Sequence, residues 1–278
     1  MINLSWVLND VRRALEEDIG NGDVSAGLLE ENVYAEAEII SREPMILCGK
    51  PWVETTFREV NSSIELQWLA KEGDWLPKAT TLCLMKGLAK DILTAERCAL
   101  NFLQTLSATA TQTHYYVREL EGTKARLLDT RKTLPGLRYA QKYAVVCGGG
   151  VNHRMGLYDA FLIKENHIKA CGSITNAIKR ARETNTDLLV EVEVETIEEL
   201  QEALQAQPDR ILLDNFTQAM LVEAVNLNTP HQCDLEASGG INLDNIKAVA
   251  QTGVDYISVG NITKSIQAID LSLLIRAC

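Results

Sequence analysis

The stretch DLLVEVEVETIEELQEALQAQPDRILLDNFTQAMLVEAVNLNTPHQCDLEASGGINLDNIKAVAQTGVDYISVG, residues 187–260, decides the fold class. In it a short apolar run ends on a polar residue or glycine, a helical stretch follows, and the pattern restarts. The runs are LLVEVEV with Glu191 and Glu193, RILLD ending at Asp214, DLEAS at Ser238 and DYISVG at Gly260. Upstream, ARLLD (to Asp129) and AFLIK (to Lys164) belong to the same rhythm. Tips at 129, 164, 193, 214, 238 and 260 are separated by 35, 29, 21, 24 and 22 residues, the size of one strand plus its return helix. The pieces between, such as SITNAIKRARE, TIEELQEALQ and LDNIKAVAQTG, combine Ser, Thr or Asn starts with helical apolar spacing. Consecutive βα units require a parallel sheet, here closed or nearly closed into a barrel. Six strands are countable, short of the eight of a complete (β/α)₈ barrel.

Barrel enzymes work at the C-terminal ends of their strands. The polar tips Asp129, Lys164, Glu193, Asp214, Ser238 and Gly260 all occupy such ends, so they are expected around one mouth. Charge points to the same place. From Lys124 to Lys169 nine Lys and Arg face three acids, a segment of +6 in a chain whose net charge is −11. Like charges crowded together repel, so a cationic island in an acidic protein calls for an anionic partner. Arg131-Lys132 and His153-Arg154 flank the glycines Gly148–Gly150, and Lys164 ends an apolar run. This combination predicts a pocket for a small, multiply anionic substrate. Arg131 and Arg154 can each grip a carboxylate through two parallel bonds, while Lys164 acts as a point charge.

Two acids, Glu193 and Asp214, face that basic wall. Carboxylate oxygens of this kind suit Mg²⁺ shared with substrate phosphates, and they also suit salt bridges to the lysines. EASGGINLD and SVGNITK put glycines between strand and helix, where backbone N–H groups can cradle a phosphate. No Ser-His-Asp order or Cys-His pairing emerges, which argues against acyl chemistry.

The first part of the chain reads as a supporting domain. Residues 5–17 carry helical apolar spacing with Ser5 as the expected N-cap, and AEAEIISRE, IELQWLAKEG and TTLCLMKG read as short strands. Residues 91–120 form the longest helical pattern, and on spacing alone its Arg97 is a surface neighbour of Glu96. The closing SIQAIDLSLLIRAC is expected as a helix returning to the first domain. The expected domains are 1–108 plus 267–278, and 109–266.

Composition narrows the class further. At 278 residues, 46% apolar and 23% charged, the chain has ordinary globular proportions. Its acidic balance argues against nucleic acid. Seven scattered cysteines without a Cys-x-x-Cys pair fit reduced thiols in a cytoplasm better than a disulfide framework or zinc site. The acidic N-terminal segment is no signal peptide, and no apolar run reaches membrane-spanning length.

At the level of whole motifs the chain closely resembles the quinolinate phosphoribosyltransferases, the carboxylating nicotinate-nucleotide pyrophosphorylases. The resemblance is carried by LDTRKTLPGLR (128–138), KYAVVCGGGVNHRMGLYDAFLIKENH (142–167), VEVEVET (190–196), ILLDNF (211–216) and ASGGI (237–241). EDIGNGDVSAGLL (17–29) and TAERCALNFLQTLSATATQT (94–113) extend it toward the amino terminus, with SATATQT departing from the family's usual glycine and aliphatic pair. The resemblance implies an N-terminal α/β sandwich before an incomplete α/β barrel of six or seven strands, assembled as a homodimer. It implies conversion of quinolinate and phosphoribosyl diphosphate to nicotinate mononucleotide, diphosphate and CO₂, with Mg²⁺, in de novo NAD biosynthesis. By motif matching, Arg131, His153, Arg154 and Lys164 hold quinolinate, and Arg97 reaches it from a neighbouring subunit. Lys132, Glu193 and Asp214 serve phosphoribosyl diphosphate, Glu193 and Asp214 also serve the metal, Ser238, Gly239 and Gly260 take the 5′-phosphate, and Thr130 is a further substrate-binding residue. Lys132, Lys164, Glu193 and Asp214 are the expected catalytic groups. The alternatives are a same-fold relative associated with molybdenum transport, a Schiff-base aldolase using Lys164, and a non-catalytic sugar-phosphate sensor.

Overall fold

A computed structural model of the chain describes residues 2–229 and 232–277. Its first elements are α1 (Leu4–Ile19), β1 (Tyr34–Ser41), β2 (Met45–Ile46), α2 (Lys50–Val60), β3 (Glu65–Trp68), β4 (Trp75–Leu76), β5 (Thr81–Leu88) and α3 (Ala89–Glu119). Next come β6 (Arg126–Leu128), α4 (Arg138–Cys147), β7 (Ala160–Ile163), α5 (Glu165–Cys171), α6 (Ile174–Thr184), β8 (Leu189–Val194) and α7 (Ile197–Ala206). The last are β9 (Arg210–Asp214), α8 (Gln218–Leu227), β10 (Asp234–Ser238), α9 (Ile246–Ala250), β11 (Tyr256–Ser258), α10 (Asn261–Lys264) and β12 (Leu271–Ala277). By internal contacts these form two units. One comprises Met1–His114, Leu134–Gly149 and Ser265–Cys278, the other Tyr115–Thr133 and Gly150–Lys264.

The first unit is built on an antiparallel sheet of order β12-β1-β5-β3. Ala35, Ala37 and Ile39 recur every second residue along β1 and are buried with Val53 and Phe57 of α2 and Leu100 and Leu103 of α3. A second cluster gathers Val7 and Val11 of α1, Trp52 of α2, Leu106 of α3, and Ala140 and Ala144 of α4. That packing is why residues 134–149 group with this unit although their place in the chain lies inside the expected barrel span.

Two local expectations are corrected here. The N-cap of α1 is Asn3, whose Oδ1 accepts the Ser5 backbone N–H at 3.0 Å, rather than Ser5. The closing segment is a strand, β12, rather than a helix. Its LSLLIRA run is short enough to satisfy either period. The outer edge of β1 decides: Leu271 to Ile275 pair antiparallel with it, and Leu273 enters the core while Leu271 packs against it.

The second unit is a six-stranded, all-parallel sheet of order β6-β11-β10-β9-β8-β7, matching the six strands expected from the sequence. A parallel bridge from Leu128 to Val151 adds one further rung on the free side of β6. The sheet is therefore the incomplete barrel expected. Side chains alternate along each strand. Val190, Val192 and Val194 of β8, Ile211 and Leu213 of β9, and Leu235 and Ala237 of β10 are buried on one face. The helices are seated by caps: Ser173 Oγ accepts from Asn176 N at 3.1 Å, Thr196 Oγ1 from Glu199 N at 3.2 Å, and Thr217 Oγ1 from Met220 N at 3.3 Å. Among the described residues no helix is long and apolar enough to cross a membrane.

Candidate active site

The residues that alternate with those buried valines and leucines open onto a cavity of about 270 Å³ in the second unit. Thr130, Arg131, Lys132, His153, Arg154, Lys164, Glu193, Asp214 and Ser238, nine of the predicted site residues, line it. Register explains part of the assembly. Glu193 is level with Leu212, Leu212 with Glu236, and Asp214 with Ser238, so neighbouring strands deliver these side chains in layers. The Val151 bridge carries the chain back beside β6, and the His153 N–H donates to Asp129 Oδ1 at 2.9 Å. Asp129, expected at the mouth, is instead fully buried and holds the His153 backbone.

The cationic side of the cavity is under electrostatic tension. Burial, and after it the neighbouring Arg131 guanidinium, hold Arg154 below the usual arginine value, against the opposing charges of Glu191 and Asp159. Arg154 Nη1 donates to the Ala160 carbonyl at 3.3 Å. Asp159 accepts the N–H groups of Met155 at 2.7 Å and Gly156 at 3.0 Å, fixing the loop that presents Arg154. Two guanidiniums brought together in a half-closed cleft form a site that an anion stabilises.

Opposite them, the Glu193 carboxylate pairs with Lys164 Nζ. Asp214 Oδ2 accepts from Asn215 Nδ2 at 2.8 Å. Asn215 has a positive φ of 56°, and its N–H donates to the Ser238 carbonyl at 2.9 Å. Gly239 permits this: its φ is +91°, and a Cβ there would stand 2.2 Å from Asn215 Oδ1. Gly260 plays a similar part for Lys132, because a Cβ would stand 3.0 Å from Lys132 Cδ and 3.5 Å from Thr130 Oγ1. Neither glycine lines the cavity; each lets a neighbour reach it. Lys132 is further held by Thr263, whose Oγ1 donates to the Lys132 carbonyl at 2.8 Å.

Beneath the mouth lies a buried acid pair with no predicted role. Glu191 and Glu236 are 1% and 0% exposed. Burial first, then the charge of Glu191, pushes Glu236 up to about 8, with His153, Ser258 and Arg210 opposing. Burial likewise raises Glu191, against the opposing charges of Arg210 and Arg154. His153 Nε2 stands 3.0 Å from Glu191 and 3.5 Å from Glu236, and Arg210 Nη1 is 3.3 Å from Glu236 with its guanidinium 4.1 Å from the Tyr256 ring centre. The alternation in VEVEV places Glu191 on the face of Glu193, and DLEAS places Glu236 on the face of Ser238, so strand period was the available signal.

Could these groups hold a metal? The His153–Glu191–Glu236 set is compact, all three ligand atoms lying within 4.8 Å of one another. However, His153 Nδ1 accepts the Arg154 N–H at 2.7 Å, which puts the ring proton on Nε2, the nitrogen a metal would need. Glu193 and Asp214 fit better. Each has one oxygen occupied by a protein donor, which leaves room for a cation shared with substrate phosphates and water rather than caged by protein. Arg97 belongs to the first unit, where its side chain is 58% exposed and its Nη2 lies 4.0 Å from Glu96 Oε1.

Comparison with known proteins adds the last observation. Residues 23–107 match the family model described as quinolinate phosphoribosyl transferase, N-terminal domain, and residues 109–274 match its C-terminal domain. The chain is 42% identical over 258 residues to the probable nicotinate-nucleotide pyrophosphorylase (carboxylating) of Bacillus subtilis, covering 92% of this chain and 89% of that protein. It is 40% identical over 271 residues to the nicotinate-nucleotide pyrophosphorylase (carboxylating) of Mycobacterium leprae, covering 95% of each. Among solved structures, the nicotinate-nucleotide pyrophosphorylase from Francisella tularensis superposes with a TM-score of 0.97 at 45% identity, covering 99% of this chain and 98% of that one.

Proposed function

The chain belongs to the quinolinate phosphoribosyltransferase family, and from that premise we propose that its barrel mouth makes nicotinate mononucleotide from quinolinate and phosphoribosyl diphosphate, releasing diphosphate and CO₂, a step of de novo NAD biosynthesis. One observation carries the reading: Arg131, Arg154 and Lys164 converge on the cavity that Glu193 and Asp214 also line. The two guanidiniums bind the two ring carboxylates, and the dianion relieves the repulsion that burdens Arg154. His153 orients the ring edge, its own orientation set by the Arg154 N–H on one nitrogen and by Glu191 facing the other.

Departure of diphosphate from the ribose leaves positive charge on the anomeric carbon, which the Glu193 and Asp214 carboxylates stabilise. The pyridine nitrogen attacks that carbon, so no covalent enzyme intermediate forms. Loss of the 2-carboxylate as CO₂ then leaves an electron pair on the ring carbon, which takes up a proton. The flanking cations favour the charge while it lasts. Glu193 and Asp214 would hold Mg²⁺, which would supply charge neutralisation for the departing diphosphate. Lys132 and Ser238 grip the phosphates, with Gly239 and Gly260 leaving room for the Asn215 and Lys132 side chains beside them. The engagement of Lys164 by Glu193 counts against Schiff-base chemistry, which needs an unpaired amine in an apolar pocket.

The enzyme works as a homodimer in the cytoplasm, with the exposed Arg97 of each copy completing the quinolinate site of the other. Incubation with quinolinate carrying a labelled 2-carboxylate and phosphoribosyl diphosphate, with and without Mg²⁺, tests the activity. Release of labelled CO₂ only when both substrates and the metal are present is the expected result, and no release under any condition sinks it.

A further inference from the structure

The first unit contains a thiol pair that the transferase reaction does not use. Cys48 lies between β2 and α2, Cys147 closes α4, and their sulfur atoms lie with a Glu72 oxygen in a group whose members are all within 4.8 Å of one another. Cys48 is fully buried and its backbone is held from both sides by Ser107. The Cys48 N–H donates to Ser107 Oγ at 3.1 Å, and that Oγ donates to the Cys48 carbonyl at 3.0 Å. Cys147 is part-exposed. The hydrogen bond that Cys48 gives Cys147 lowers its thiol below the ordinary value, and Tyr143 contributes in the same direction against burial and Glu72. Burial, followed by Cys147 and Glu72, drives the Cys48 thiol the other way. One sulfur is therefore reachable with its thiol lowered, and beside it the other is enclosed with its thiol raised.

Metal binding is the competing use of such a cluster. Glu72, however, is already committed to capping α2: Oε1 accepts the Gly49 N–H at 2.7 Å and Oε2 the Lys50 N–H at 3.2 Å. Without it two thiols remain, short of the four ligands of a structural zinc.

We propose that Cys48 and Cys147 are a reversible disulfide site that responds to hydrogen peroxide, with Cys147 as the attacking and Cys48 as the resolving thiol. The Cys147 thiolate attacks one peroxide oxygen, the O–O bond breaks, and the departing hydroxide takes a proton, leaving a sulfenic acid. The Cys48 sulfur then attacks the Cys147 sulfur and the S–O bond breaks. The leaving hydroxide takes the Cys48 proton. Two thiols and one hydrogen peroxide become one disulfide and two waters. The bond formed is about 2.0 Å long, so the sulfurs must draw together, and with Cys48 held by Ser107 the approach falls to Cys147 at the end of its helix.

The experiment needs no substrate, so its outcome is independent of the transferase reading. The reduced full-length protein is treated with dilute hydrogen peroxide, its remaining thiols are alkylated, and a non-reducing digest is analysed by mass spectrometry. A Cys48–Cys147 cross-linked peptide, formed before oxidation of Cys171 and reversed by dithiothreitol, is expected. In Cys48→Ser the resolving thiol is missing, and a dimedone-reactive sulfenic acid should accumulate on Cys147. Cys147 advancing to sulfinic acid in the wild-type protein without cross-linking overturns the proposal. So does stoichiometric Zn²⁺ binding that blocks alkylation of both thiols.

Discussion

His153 Nε2 stands 3.0 Å from the buried Glu191 carboxylate, while its Nδ1 accepts the Arg154 N–H at 2.7 Å. The imidazole is thereby fixed in one tautomer, with its remaining N–H turned inward to the acid. Removing one partner from a buried polar contact costs about 1–3 kcal/mol. Glu191→Leu should accordingly lower kcat/KM for quinolinate by roughly tenfold or more, since 1.4 kcal/mol is about tenfold. Glu191→Gln, which keeps an acceptor oxygen, should retain most activity. Equal loss in both variants would mean that Glu191 does not act by orienting His153.

Arg154 is the group most plainly positioned to bind a carboxylate. Its replacement by alanine should cost at least ~3 kcal/mol of transition-state stabilisation, about a hundredfold or more in kcat/KM. Arg154→Lys should recover little, because an ammonium cannot present two parallel donors. Near-normal turnover of the alanine variant would contradict the assignment.

Glu236 predicts a pH effect on stability. Its carboxyl, ordinarily near 4.5, is pushed up to about 8 in the fold by burial and the Glu191 charge. Between those values the unfolded chain has lost a proton that the folded chain still carries, so rising pH favours unfolding. The wild-type protein should lose up to about 1.4 kcal/mol per pH unit from this group across that window, and no more above it. Glu236→Gln removes the titration. Melting curves of the two proteins should diverge as pH rises through the window; parallel curves would show that another group titrates.

Gly239 tests the phosphate side. An added Cβ meets Asn215 Oδ1 at 2.2 Å, on a backbone whose φ of +91° already disfavours alanine. Gly239→Ala should displace Asn215 from Asp214 and raise KM for phosphoribosyl diphosphate far more than KM for quinolinate, with a stability loss of about 1–3 kcal/mol. Equal effects on the two KM values would detach Gly239 from the phosphate subsite.

The dimer proposal has its own check. Arg97→Ala and Arg154→Ala should each be inactive alone. Unfolded together and refolded as a mixture, they should regain activity, because in a mixed dimer one mouth carries both substitutions and the other neither. A mixture as inactive as its components would place Arg97 outside the partner's site.

The barrel was legible because period and punctuation agree: each of the six expected apolar runs became a parallel strand, and Lys164, Glu193, Asp214 and Ser238 reached one cavity. What escaped depends on pairing across long separations. LSLLIRA could be helix or strand until β1 presented an edge, and α4 joined the first unit through apolar partners on α1, α2 and α3. The buried acids were harder. Glu191 and Glu236 gain their meaning from His153 and Arg210, residues contributed by other segments, and charge counting weights a buried glutamate like a solvated one.

The pairing of β12 with β1 bears on how the protein is made. Strands joined edge to edge, with Ser41 opposite Leu271 and Ile39 opposite Leu273, leave the ribosome before and after the barrel strands respectively. The amino-terminal sheet therefore waits, with one margin uncovered, until the whole barrel has been translated. A nascent chain stalled after β11 should be held by chaperones at that margin, and release should follow once the final strand emerges.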